Sequence, residues 1–69
     1  MIDAACNQAV YLTKDLEELS LYRGAVGIVR GTWDYPNAAY EVEFKIDGSA
    51  LRLLLLQGQI IPCQPQSQN

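Results

Sequence analysis

The stretch that decides the fold runs from Leu21 to Phe44: LYRGAVGIVRGTWDYPNAAYEVEF. It reads as two β-strands joined by an acidic, aromatic loop. Its second half is the clearest strand. In YEVEFKI, Tyr40, Val42, Phe44 and Ile46 fall on one face, and Glu41, Glu43 and Lys45 on the other. Strict alternation of this kind means one buried and one wet face. Before it, DYPNA at 34–38 is a turn, with φ fixed by Pro36 and turn geometry tolerated by Asn37. In the first half, Val26, Ile28 and Val29 supply apolar bulk. Gly27 inside that strand signals a bulge, a sharp bend or a close approach by another segment. Gly31 repeats the signal ahead of Trp33, and Gly24 suits a tight turn at the entry.

Working outward, Asp47-Gly48 is a hairpin signal. It leads into ALRLLLL at 50–56, with Leu51, Leu53 and Leu55 on one face and Arg52, Leu54 and Leu56 on the other. Leucine also favours helix, but the hairpin turn before the segment and Gly58 after it argue for a strand. As a strand its second half is apolar on both faces, so Leu54 and Leu56 need cover from a loop or another subunit. Gln57 to Gln59 forms a short turn, and Ile60 to Cys63 a last strand that Pro62 confines to an edge. Towards the N-terminus, AVYLT at 9–13 is a strand with Val10 and Leu12 on one face. KDLEELS at 14–20 is too short for a stable helix and reads as a loop with one helical turn, Leu16 and Leu19 tucking inward. The expected fold is all-β, a small SH3-like barrel of about five strands over residues 1–63, with a disordered polar tail at 64–69.

The chain has 69 residues and a net charge of -3, with 49% hydrophobic and 19% charged residues. This is one globular domain. The acidic balance argues against nucleic acid as a partner, since its binders carry a basic stripe. The five cations Lys14, Arg23, Arg30, Lys45 and Arg52 are scattered along the sequence. No apolar run approaches the roughly 20 residues that span a bilayer, and the N-terminus does not read as a signal peptide. The expectation is a cytoplasmic protein with no membrane association, in which Cys6 and Cys63 stay reduced. An SH3-like barrel runs its first and last strands side by side, so the two thiols could approach; a disulfide would need Cα atoms within about 7 Å.

The set LTKDL, LYRGAVGIV, AYEVEF and a leucine strand ending at QIIP, spanning about Val10 to Pro62, resembles a family of small bacterial proteins of unknown function. Its pattern is LT-x-DL, then G-x-x-G-x-V, then YEVEF. The resemblance implies an SH3-like barrel in a bacterial cytoplasmic protein and carries no activity and no site residue. Leu19-Ser20-Leu21 stands where that family has a glycine- or proline-bearing loop. Arg30-Gly31-Thr32-Trp33 replaces a branched, acidic strand end. The glycine-valine stretch is also similar to SH3-like modules of ribosomal and transcription factors, which touch RNA or protein but are commonly basic.

Chemistry finds little footing. The chain has no His, no nucleophile elbow and no phosphate-binding loop, and Ser20 and Ser49 have no identifiable base. Glu41 and Glu43 share a strand face, which reads as a solvated surface before it reads as an acid–base pair. Asp15, Glu17 and Glu18 lack the ligand spacing of a calcium loop. No metal, cofactor or catalytic residue is expected. The aromatics offer more. Tyr22, Trp33 and Tyr35 flank the central strands, with Pro36 among them, and Trp and Tyr dominate interface hot spots. Either Trp33, Tyr35 and Tyr22 form a binding surface, or Tyr40 faces the core and Trp33 caps the barrel end; Leu54 and Leu56 are the expected self-association surface. The expected function is a noncatalytic protein-interaction or accessory module, with an unidentified protein or a second copy as partner. The alternatives are a nucleic-acid-associated module and a small-ligand binder.

Overall fold

A computed structural model describes residues 6–34 and 36–63. Five strands form one antiparallel sheet: β1 (Ala9–Leu12), β2 (Val26–Trp33), β3 (Ala39–Ile46), β4 (Ser49–Leu56) and β5 (Ile60–Pro62). Their order in the sheet is β4-β3-β2-β1-β5. Sequential strands pair as hairpins until the chain leaves β4. A 3₁₀ turn at Gln57–Gln59 then carries it to the far side of β1, where β5 pairs with Leu12 opposite Ile60. Thr13 fastens this crossing: its N–H donates to the Gln59 carbonyl at 3.0 Å and its hydroxyl to the Gly58 carbonyl at 3.1 Å. The all-β expectation holds, with the first and last strands side by side. The hydrogen-bonded sheet is not closed, however, and β4 and β5 are its two edges.

The β3–β4 hairpin turns on Asp47 and Gly48, with φ of 51° and 84°. Positive φ at both central residues is what a two-residue type I′ loop requires. Eight opposed pairs follow without a break, from Ile46 with Ser49 to Ala39 with Leu56.

One face of the sheet carries the core. Val10, Leu12, Leu21, Val29, Tyr40, Val42, Phe44, Leu55 and Ile60 are buried together, with Leu16, Ala25, Ile46, Leu51 and Leu53 packed against them. Burial of this contiguous apolar face drives the assembly. Gly27 sits where a side chain could not. A Cβ there would lie 2.6 Å from Val42 Cγ1 and 2.8 Å from Phe44 Cε1, so this glycine marks a close approach.

The segment between β1 and β2 departs from expectation in one detail. Glu17–Leu19 does form a single 3₁₀ turn, and Leu16 does pack inward. Leu19 is exposed instead of tucked in, and Leu21 is buried in its stead. Ser20 in the left-handed region, at φ 59°, reverses the chain. Leu16 and Leu21 then bond to each other, N–H to carbonyl in both directions, which aims Leu21 at the core.

Candidate functional site

The outer face of the sheet is shaped by one irregularity in β2. Val29 pairs with Val42 and Gly31 with Glu41, leaving Arg30 as an extra residue between them. This is a β-bulge. Without it, strict alternation from the buried Val29 would send Gly31 and Trp33 into the core. The extra residue shifts the phase by one and brings both to the outside. Trp33 then lies opposite Ala39, and Ala39 opposite Leu56. In the next row Gly31 lies opposite Glu41, and Glu41 opposite Leu54. The indole folds back over Gly31, where an added Cβ would sit 3.4 Å from Trp33 Cη2.

These rows form a shallow apolar groove of about 290 Å³, lined by Trp33, Pro36, Asn37, Ala39, Leu54 and Leu56. Leu54 is 66% exposed, Leu56 55% and Trp33 47%. The structure thus brings together Trp33, expected in a binding surface, with Leu54 and Leu56, expected in self-association. No described loop covers the two leucines. Tyr22 is exposed in the β1–β2 loop and does not line the groove. Tyr35 lies outside the described residues.

A charged ladder borders the groove. Glu43 Oε1 accepts from Arg30 Nε at 3.3 Å and from Arg52 Nε at 3.2 Å, so one carboxylate bridges β2 and β4. Arg30 also donates to Asn7 Oδ1 at 3.0 Å, and Arg52 Nη1 stands 3.7 Å from Glu41 Oε2. The Glu43 side chain is only 14% exposed. Desolvation pushes its pKa up, but the hydrogen bonds and charges of Arg30 and Arg52 outweigh it and hold the carboxyl below its ordinary value. A group tuned this way stays ionised, the opposite of a general acid. The same contacts engage two of the five cations with glutamates.

A second hollow, of about 340 Å³, is lined by Lys14, Asp15, Leu16, Glu17 and Glu18. Asp15 Oδ1 accepts the backbone N–H of Arg23 at 2.9 Å, which spends part of its capacity on the loop. No group of three potential metal ligands converges among the described residues, and no helix among them is long and apolar enough to cross a membrane.

Cys6 and Cys63 are free thiols. The Cys63 N–H bonds to the Ala9 carbonyl at 2.8 Å, which keeps it beside β1. Asn7, with φ 70°, turns the other way: its N–H bonds to the Val29 carbonyl of β2. Cys6, the residue before it, is exposed.

One feature of this face is not evident from the sequence pattern. Val26 lies opposite Tyr11, and Tyr11 opposite Ile61. All three are exposed, so β2, β1 and β5 present a second apolar row at the opposite end of β2 from Trp33. The signal available was the run of two isoleucines at 60–61, one of which must face outward on any strand. Compared with known proteins, the chain matches no family model, no curated protein and no solved structure.

Proposed function

We propose that this chain is a noncatalytic protein-interaction module of SH3-like barrel type, and that it binds through the groove of Trp33, Ala39, Leu54 and Leu56. The barrel reading draws support from the return of β5 to β1 through a 3₁₀ turn and from the gathering of the buried side chains of all five strands into one cluster. The binding reading rests on one observation: a tryptophan and two leucines, each about half exposed or more, stand in neighbouring cross-strand rows. Apolar surface gathered in this way marks interaction sites, and an aromatic anchor beside aliphatic neighbours is the makeup of a hot spot.

Capture of binding proteins from the source cells, with tagged chain as bait, tests this. The expected result is a stoichiometric partner, its recovery reduced at least about tenfold by the double change Trp33→Ala and Leu54→Ala, a loss of about 1.4 kcal/mol. Equal recovery by bait with and without the changes would place binding elsewhere.

A further inference from the structure

The two edges of the sheet differ in kind. β5 has three residues and ends at Pro62, which has no N–H to offer a neighbour. Short edge strands and prolines are common protections against edge pairing. β4 has eight residues and no proline. Its hairpin decides which backbone groups are free. A two-residue loop makes Ile46 and Ser49 a hydrogen-bonded pair, and bonded and non-bonded pairs alternate from there. Ser49, Leu51, Leu53 and Leu55 therefore bond inward to β3. The N–H and C=O groups of Ala50, Arg52, Leu54 and Leu56 point out of the sheet. One of these is taken, since the Leu56 N–H donates to Gln59 Oε1 at 2.8 Å.

We propose that a second copy of this chain covers the edge: β4 pairs antiparallel with its own counterpart about a two-fold axis at Leu53, joining two sheets into one. The proposal rests on the interaction-module reading and names the partner. Three observations select this occupant and this register. First, Leu51, Leu53 and Leu55 are symmetric about Leu53, so on the core side leucine meets leucine all along the joint, as an isologous interface requires. Leu51 and Leu53 are only half-buried in the single chain and gain cover. Second, the charges fit. Arg52 of each copy lies opposite Leu54 of the other, and its aliphatic stem flanks that leucine. A register centred on Arg52 would set two guanidiniums face to face, which destabilises a cross-strand pair. Third, Gln59 limits the overlap. With the axis at Leu53, Leu56 ends the shared ladder, its N–H staying with Gln59 and its carbonyl accepting from Ala50. With the axis at Leu54, the second strand would run on into the 3₁₀ turn.

The test uses the full chain with Cys6→Ser and Cys63→Ser, so that only introduced thiols react. Arg52→Cys and Leu54→Cys are made separately in that background; both side chains are exposed. In the proposed register these positions oppose each other across the axis with Cα atoms about 5.5 Å apart, within reach of a disulfide. Oxidation of the equimolar mixture is expected to give a linked dimer in at least tenfold higher yield than either variant alone. Light scattering of the unmutated chain is expected to give twice the monomer mass. A monomer mass at every concentration would overturn the pairing, and so would Arg52→Cys or Leu54→Cys linking with itself. A monomer that still captures another protein through Trp33 would overturn this inference and leave the proposed function standing. A monomer that captures nothing would overturn both.

Discussion

Gly27 is the tightest point of the core. A methyl group there meets two side chains below 3 Å and the Glu43 carbonyl at 3.0 Å. Backbone cannot yield as a flexible side chain can. Gly27→Ala is therefore expected to cost about 1–3 kcal/mol, the range for overpacking, read as a lower urea midpoint at unchanged slope. An unshifted midpoint would mean the core relaxes around the methyl. Glu43 acts through charge instead. Its pKa is lower in the folded chain than in the unfolded one, so the unfolded state binds the proton more readily. Its contribution to stability is present in full above the ordinary glutamate pKa of about 4.3 and is lost as the pH falls through the lower, folded value. Urea midpoints taken from neutral to acid pH are expected to fall over that window. Glu43→Gln is expected to lower the neutral-pH midpoint slightly, as ion pairs whose arginines reach into solvent contribute little, and to flatten the acid slope. An identical slope in the variant would assign the acid sensitivity to other carboxylates.

At the scale of elements, all five strands are legible in the sequence, because alternation in β3, the Asp47-Gly48 turn and Pro62 each carry a local physical signal. The two faces of β4 are legible too. Leu55 is buried and Leu54 exposed, as a period of two demands. Leu55→Ala is expected to cost about 2–5 kcal/mol and Leu54→Ala under about 0.5, measured by urea unfolding; equal costs would contradict the two-faced strand. The phase of β2 is not legible. Gly31 flags an irregularity, but whether Arg30 is bulged depends on pairing with β3, which is a tertiary fact. On that one residue hangs whether Trp33 lies in the core or on the surface. Leu19 escapes prediction for a related reason: the left-handed turn at Ser20 swaps it for Leu21, and serine does not announce such a turn as glycine would.

For the whole molecule, the two apolar stretches of the outer face stand at opposite ends of β2, with the Arg30–Glu43–Arg52 ladder beside the Trp33 groove. The candidate groove was half legible. Trp33, Leu54 and Leu56 stand out as residues, but their meeting requires the bulge and the β3–β4 register together. Trp33 is the only tryptophan in the chain, so its fluorescence reports on the groove without a label. The most direct test of the account is therefore the emission of Trp33 as the captured partner protein, which is expected in the groove and not at the β4 edge, is added to saturation. The account predicts that the emission maximum moves to the blue as water leaves the indole. Full occupancy with an unmoved maximum would show that the partner binds away from the groove, and would contradict it.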